Sequence, residues 1–219
     1  MPAKSDREYR DLYTVEAIEP TEESAESKRV SGQFTTYDSP YMLYSMSDET
    51  ADYEMWEVVD HRAFDECDLS DVIMQYDHEG RVFARISNGT LELDLEEPRM
   101  TAELSGTEIG RQLYEEIRGG YTTKMSFGFK VADSAMNREV IDREGMKPLV
   151  KVTRTITKIS KLYDVSAVSL PANNQTSISA RALGEGVISE AREEFMAARA
   201  LEIRKAKAIA RAKLLSMEE

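Results

Sequence analysis

The chain has 219 residues, of which 41% are hydrophobic and 32% are charged, and its formal net charge is −13. This length suits one sizeable core with extensions, and the acidity argues against general binding to nucleic acid, whose phosphates require a basic surface. No apolar run is long enough for a membrane helix, the N-terminus lacks the apolar segment of a secretory signal, and the single cysteine, Cys67, excludes an internal disulfide.

The composition divides the chain into three regions. Residues 1–30 are charged and poor in large apolar side chains, which predicts a mobile N-terminal arm. Residues 31–182 carry the strand-like patterns and predict the folded domain. From Leu183 on, Gly184 and Gly186 break the strand pattern, and the Ala-, Glu-, Arg- and Lys-rich sequence of residues 183–219 predicts a helical tail.

The folded domain is predicted to consist mainly of β-strands, because short β-branched and aromatic runs lie between turn residues. Many short strands with a few helices predict an α+β fold in which a β-barrel or sandwich is surrounded by helices. The predicted strands are Gly32–Tyr37, Tyr53–Asp60, Val72–Tyr76, Arg81–Asn88, Leu91–Leu95, Met100–Leu104, Met125–Val131, Val150–Ile159 and Leu162–Leu170.

Two helices are also predicted. Ser105 and Glu108 have the spacing of a capping box, apolar residues recur every four positions from Ile109 to Ile117, and two glycines at 119 and 120 end the helix. In the tail, Ser189 is placed to cap a second helix. Its apolar stripe predicts a helix that packs on the domain or projects into solvent, or alternatively a docking or assembly helix; the stripe comprises Ile188, Ala191, Phe195, Ala198 and Leu201.

The strand Met125–Val131 raises the question of catalysis. Its large apolar side chains alternate with Ser126, Gly128 and Lys130, as expected of a half-buried strand. Ser126 is therefore either a solvated polar residue or a displayed nucleophile. Gly128 favours a close approach of another group at this point, because glycine weakens a strand without such a reason.

A serine nucleophile requires a base, and the chain has only two histidines. His78 lies where a strand ends, before a turn expected at Glu79–Gly80, and this position is suited to overlooking a cleft. His61 has no comparable placement and is interpreted as structural or solvent-facing. These residues permit a serine hydrolase but do not require one.

Other nucleophiles are less well supported. Ser166 and Ser169 lie in a strand that also offers Asp164. Cys67 is flanked by acidic residues, which raise the pKa of a thiol and suppress the reactive thiolate. Cysteine chemistry is therefore disfavoured, whereas the two serines stay open as alternatives on the residues alone.

Four segments in order resemble the prohead maturation proteases of tailed bacteriophages, a family related in fold to the herpesvirus assemblins. The resemblance covers about residues 31–182, and the segments are Glu57–Asp65 (EVVDHRAFD), Asp77–His78, the helix 109–120 that leads into Met125–Phe129 (MSFGF), and Leu162–Ala172 (LYDVSAVSLPA). His61 and Arg62 replace the small turn residues that the family carries before Ala63 and Phe64. The resemblance implies an antiparallel β-barrel surrounded by helices, like that of the herpesvirus proteases.

The resemblance also implies the site. The family carries its catalytic histidine at the position of His78 and its nucleophilic serine at the position of Ser126. The third member corresponds to Asp164, where related phage enzymes usually carry glutamate and assemblins use a second histidine. Strand parity places Ser166 on the same face as Asp164, as an auxiliary hydrogen-bond donor. Backbone N–H groups are the expected oxyanion donors.

The implied function is that of a serine endopeptidase in capsid maturation. Such an enzyme cleaves the scaffold protein, or the scaffolding segment of the major capsid protein, and then itself. These proteins are therefore the expected partners, a homodimer is a further expectation, and the expected locations are the host cytoplasm and the interior of the prohead. No metal, organic cofactor, nucleic acid or membrane is implied. The arm and the tail are hypothesised to serve in packaging or self-cleavage.

Three alternatives come from other classes. One is a non-catalytic capsid-assembly or scaffold protein with a protease-like fold. Another is an esterase, which is disfavoured because Ser126 lacks the Gly-x-Ser-x-Gly elbow. The third is a metal site at Glu92, Asp94 and Glu96, although a solvated acidic face explains such alternation more simply.

Overall fold

The computed structural model describes residues 7–21, 26–169 and 174–215, which form one large sheet and two α-helices. The helices are α1 (Glu108–Arg118) and α2 (Asn174–Leu215), and a 3-10 turn spans Ile86–Asn88. The strands are β1 (Glu8–Ala17), β2 (Arg29–Gln33), β3 (Tyr41–Ser47), β4 (Asp52–Val59), β5 (Ile73–Tyr76), β6 (Glu79–Arg85), β7 (Leu91–Asp94), β8 (Arg99–Glu103), β9 (Lys124–Ile141) and β10 (Leu149–Val168).

The strands form one ten-stranded sheet in the order β3-β4-β10-β9-β1-β2-β8-β7, with the β5–β6 hairpin attached to β10. Along the described strands β3 and β7 end this order without pairing to each other, so the sheet does not close into the expected barrel. Nor is it purely antiparallel, because β10 runs parallel to β4 and to β5. The mainly β, α+β class is confirmed, whereas the herpesvirus-like topology stays a prediction.

The central pair β9 and β10 is longer than the sequence patterns indicate. The predicted strand Met125–Val131 is only the first part of β9, and the two strands predicted between Val150 and Leu170 are one strand, β10. The second part of β9 is polar and largely exposed, so its own side chains give no strand signal. It is extended because it pairs with the first half of β10 in a continuous antiparallel ladder.

Strand β1 contradicts the prediction of a mobile arm for residues 8–17. It lies inside the sheet, between β9 and β2. Its charged residues are accommodated by ion pairs: Arg10 Nε donates to Glu57 Oε1 at 2.6 Å, and the Arg154 guanidinium donates to Glu8 Oε2 at 2.7 Å and to Glu57 Oε2 at 3.0 Å. Charge alone predicts solvation, and only the partners on β4 and β10 make burial possible. The division of the chain into three domains stays a prediction.

Helix α1 packs Leu113, Tyr114 and Ile117 against the larger of two hydrophobic clusters. The predicted capping box is wrong in detail, because the N-cap is Thr107, whose Oγ1 accepts a hydrogen bond from the Gly110 N–H at 3.0 Å. The Ser105 N–H instead donates to the carboxylate of Glu103, just before the helix.

Helix α2 begins well before the predicted tail, and the glycines do not interrupt it. A Cβ on Gly184 would lie 2.4 Å from the Tyr44 Cβ, so this glycine permits close packing on β3. Ile188 and Ala191 are buried in the smaller hydrophobic cluster, which lies on β4 and β10. The described side chains beyond Phe195 are exposed, including the stripe residues Ala198 and Leu201.

Neither of the two described helices has the combination of length and apolar character that crossing a membrane requires.

Candidate active site

His78 lies in a two-residue hairpin loop between β5 and β6. Tyr76 pairs with Glu79, and the loop residues Asp77 and His78 both have left-handed backbones, with φ of 51° and 58°. Two positive φ angles match a type I′ turn, in which Asn and Gly are the usual residues. The turn expected at Glu79–Gly80 therefore lies two residues earlier, and His78 is held in a conformation that costs free energy for a side chain of its size.

Hydrogen bonds of Asp77 connect this turn to the end of β10. Its N–H donates to the Ala167 carbonyl at 2.9 Å, and its carboxylate accepts the Ser169 N–H at 2.9 Å and the Ser169 hydroxyl at 3.0 Å. Ser169 is thus a partner of the turn, not a nucleophile beside a base. Sequence reasoning missed the role of Asp77, although Asp at a turn is a recognised signal for side chain–backbone bonding.

The register of β9 and β10 aligns the polar residues. Ser126 is opposite Ser166, and Gly128 is opposite Asp164, so all four lie on one face of the sheet. The predicted alternation is correct, but the strand is not half-buried, since residues 125–129 are buried on both faces. On the other face, Phe127 and Phe129 stack within the larger hydrophobic cluster.

The three side chains of the predicted triad meet. His78 Nε2 lies 2.7 Å from Ser126 Oγ across a separation of 48 residues, and His78 Nδ1 makes a short hydrogen bond to Asp164 Oδ1. The Ser166 hydroxyl donates to the same carboxylate oxygen at 2.7 Å, as the auxiliary donor was predicted to do. With Nδ1–H donated to Asp164, the lone pair of Nε2 is free to accept the serine proton.

Gly128 has no side chain, and this leaves room for the carboxylate of Asp164, the third residue of the predicted triad. A Cβ at residue 128 would lie 2.4 Å from Asp164 Oδ2 and 2.8 Å from Tyr9 Cε1. The bare glycine therefore admits the carboxylate over the backbone of β9, as the close approach predicted there requires. Asp164 Oδ2 is buried and has no hydrogen-bond partner.

Tyr9 is a site residue that sequence reasoning did not find. Its ring packs on the His78 imidazole with a centroid distance of 4.4 Å and a tilt of 56°. Tyr9 is paired with Gly128 across β1 and β9, so the line Tyr9, Gly128, Asp164 crosses three adjacent strands. No sequence signal marked it, because Tyr9 lies in the segment that composition predicted to be a solvated arm.

The three residues of the predicted triad are buried from solvent. Ser126 is 0% exposed, and the side chains of His78 and Asp164 are 7% and 1% exposed. A groove of about 370 Å³ lies between the hairpin and α1, and Tyr76 and Glu79, which flank the His78 turn, contribute to its wall. A peptide carbonyl can reach Ser126 Oγ only if a covering group moves.

The other candidates lie elsewhere. His61 is 56% exposed and its Nδ1 lies 3.1 Å from the Asp38 carboxylate, as expected for a solvent-facing histidine. Burial, reinforced by the nearby Asp68 carboxylate, raises the pKa of Cys67 to about 11, which disfavours thiolate chemistry.

The predicted acidic metal set Glu92, Asp94 and Glu96 does not form a cluster among the described residues. Asp94 Oδ1 instead accepts the Glu96 N–H at 2.9 Å. The group with the spacing of metal ligands is Asp38, Asp60 and His61, which is on the surface, where acidic groups commonly lie together without an ion.

Comparisons with known proteins bear on this geometry. The model of the caudovirus prohead serine protease family matches residues 16–187, which include Ser126, His78 and Asp164. No curated protein matches the chain, and no solved structure matches it. The family match spans most of the chain and agrees with the assembled serine, histidine and carboxylate. The chain therefore belongs to the caudovirus prohead serine protease family, whose members are serine peptidases of capsid maturation.

Proposed function

We propose that this chain is a serine endopeptidase that cleaves the scaffold protein, or the scaffolding segment of the major capsid protein, and then itself inside the prohead. The observation that carries the proposal is the hydrogen-bonded series from Ser126 through His78 to Asp164. Family membership supports a peptidase of capsid maturation, and the arrangement of donors and acceptors supports the roles of the individual residues.

The proposed reaction begins at the Ser126 hydroxyl. His78 Nε2 takes its proton while Oγ attacks the scissile carbonyl, and the negative charge moves to the carbonyl oxygen. His78 then returns the proton to the departing amine, which leaves an acyl-enzyme. In the second half, His78 takes a proton from water while the water oxygen attacks the acyl carbonyl carbon. The ester bond between that carbon and Ser126 Oγ then breaks, His78 returns the proton to Oγ, and the new carboxyl group leaves.

Asp164 and Ser166 assist without exchanging a proton. Asp164 fixes the tautomer of His78 and stabilises the imidazolium that forms when the serine is deprotonated. The hydroxyl of Ser166 donates to the same oxygen and holds the carboxylate in place. Ser166 therefore acts as a positioning residue for Asp164.

The covered triad fits an enzyme that works in confinement. A peptide must displace a covering group before reaction, which lowers the rate in dilute solution. Enclosure with the capsid protein raises the effective concentration of the substrate and compensates for this. The host cytoplasm and the prohead interior are the proposed locations.

The test is cleavage of the co-expressed major capsid protein and scaffold, followed by N-terminal sequencing of the fragments. Wild type should release defined fragments, Ser126→Ala should release none, and the control Ser45→Ala, at an exposed serine on β3, should match wild type. Identical fragments from wild type and Ser126→Ala would exclude Ser126 as the nucleophile. Absence of cleavage by wild type inside assembled proheads would favour the non-catalytic assembly protein.

A further inference from the structure

The contact between Tyr9 and His78 is not accounted for by the reaction described above. The family match begins at residue 16, so Tyr9, which lies in β1, is outside the matched residues. The Tyr9 ring packs on the imidazole at a centroid distance of 4.4 Å, and its Cε1 lies over the backbone of Gly128.

The position of Tyr9 is fixed by its two neighbours. Successive side chains of a strand point to opposite faces, so Glu8 and Arg10 lie on the face opposite Tyr9. Both belong to the ion cluster on that face: Arg10 is 2% exposed and binds Glu57, while Glu8 accepts hydrogen bonds from the Arg154 guanidinium at 2.7 and 2.9 Å. The strand is therefore clamped on one face while it presents an aromatic ring to the triad on the other.

A packing contact from an aromatic ring would help to hold the His78 side chain in position. The His78 backbone is in the left-handed region, in a hairpin loop that hydrogen bonds of Asp77 also connect to β10. The carboxylate that orients it has one buried oxygen, Oδ2, without a hydrogen-bond partner. An aromatic ring beside the imidazole restricts its rotation, and the face of such a ring attracts the imidazolium cation that arises during the reaction.

We propose that Tyr9 is a positioning residue of the active site, which holds His78 in line between Asp164 and Ser126 and screens the histidine–aspartate pair from water. The N-terminal strand is then part of the catalytic apparatus. Proteolysis on the C-terminal side of Tyr9 switches the enzyme off, and self-trimming that spares activity is confined to residues before the strand.

This inference rests on the proposed role of His78, but its test has a readout that needs no substrate. The chain has two histidines, so its imidazole NMR spectrum has two sets of signals, and His61 serves as an internal reference. The measured quantity is the rate at which the His78 Nδ1–H, donated to Asp164, exchanges with water. A His61→Gln variant assigns the two signals.

The variants are Tyr9→Ala, Tyr9→Phe and, as the matched control on the same strand, Tyr13→Ala. Tyr13 packs against the larger hydrophobic cluster and its hydroxyl is 3.0 Å from Thr36 Oγ1, so its loss loosens β1 without removing the contact on His78. Thermal unfolding of each full-length variant measures how far the strand is destabilised.

Tyr9→Ala is expected to accelerate exchange of the His78 Nδ1–H at least tenfold and to lower kcat for capsid-protein cleavage about tenfold, with little change in KM. Tyr9→Phe is expected to keep both within about threefold of wild type, and Tyr13→Ala to leave the His78 signal unchanged.

Unchanged exchange and unchanged or increased kcat in Tyr9→Ala would overturn the inference, as would an equal effect of Tyr13→Ala. If wild type cleaves nothing, the proposed function fails, but the exchange rates still decide whether Tyr9 positions His78.

Discussion

The sheet contains two buried polar clusters, which lie on opposite faces of β1 and are built differently. The ion cluster of Glu8, Arg10, Glu57 and Arg154 pairs each carboxylate with at least one guanidinium, and Tyr41 adds a hydrogen bond to Glu57 at 2.5 Å. The triad has a histidine with a left-handed backbone and a carboxylate oxygen without a partner.

This difference indicates that the ion cluster stabilises the fold, whereas the arrangement of the triad is suited to a reaction. Structural clusters satisfy their buried charges, because an unpaired buried charge costs several kcal/mol. Strain and unsatisfied atoms persist where the rest of the fold enforces them, and they concentrate at functional sites. In this protein β1 joins the two clusters, since Glu8 and Arg10 belong to one and Tyr9 contacts the other.

The largest effect is expected from Asp164→Asn, which changes the triad without changing its volume. The neutral amide does not stabilise the imidazolium, and its NH2 group can donate to Nδ1 and favour the wrong tautomer, so kcat should fall by roughly 10⁴-fold. Thermal unfolding should stay close to wild type. Asp94→Asn, at an acidic residue outside both clusters, is the control, and more than a tenth of wild-type activity in Asp164→Asn would remove Asp164 from the triad.

Glu57→Gln, in the ion cluster, should lower the stability of the fold, whereas Asp164→Asn should lower activity. Its carboxylate is 0% exposed and bonded to Arg10 and Arg154, so its neutralisation leaves two buried cations with one fewer counter-ion. Removal of one partner from such a pair costs about 3–5 kcal/mol of unfolding free energy. Urea unfolding measures this loss against Glu92→Gln, an exposed residue. A change below about 1 kcal/mol would show that the cluster is not a structural clamp.

Gly128→Ala should damage the triad by steric displacement. The added Cβ would overlap Asp164 Oδ2 at 2.4 Å and Tyr9 Cε1 at 2.8 Å, so the carboxylate must move away from His78. We expect about a 100-fold loss of kcat, which corresponds to roughly 2.7 kcal/mol of transition-state stabilisation. Gly106→Ala is the matched control, because its Cβ meets no atom within 4 Å. Wild-type activity in Gly128→Ala would mean that the site tolerates a wider spacing of β9 and Asp164.

The smallest predicted effect is the contribution of Glu8 to the loss of stability at low pH. Burial raises the pKa of Glu8, but hydrogen bonds and attraction from Arg154 and Arg10 outweigh it, so the pKa lies below its ordinary 4.5. A lowered pKa in the folded state contributes stability that is present above pH 4.5 and is lost as the pH falls through the folded value. We expect the unfolding free energy to fall less between pH 7 and pH 3 in Glu8→Gln than in wild type, by about 1 kcal/mol or less. An equal fall in both proteins would show that Glu8 does not contribute to acid sensitivity.

The sequence predicted the strands that carry their own signal. Strands β4, β5, β7 and β8 lie close to their predicted bounds, because each alternates or forms an apolar run between turns. Strand β3 was not predicted, and β1 was taken for part of an arm. The long second part of β9 was missed because its polar residues are held extended by the partner strand.

More residues of the candidate site were predicted than the composition alone could identify. Alternation placed Ser126 and Gly128 on one face, but only the family resemblance selected Ser126, His78 and Asp164 from several candidates. A turn aspartate such as Asp77 carries a local signal, but its partner Ser169 could not be identified from sequence, and neither could the contact of Tyr9 with His78, because these partners lie far apart along the chain.

By itself the sequence determined a β-rich, acidic domain with one helix before a serine strand, since local periodicity and turn residues act over a few positions. The tertiary structure decided that the sheet stays open, that β1 lies beside the serine strand and that an aspartate can reach the histidine across a glycine. Those outcomes depend on which strands become neighbours, and the contacts between such strands join residues that chain-local patterns do not connect.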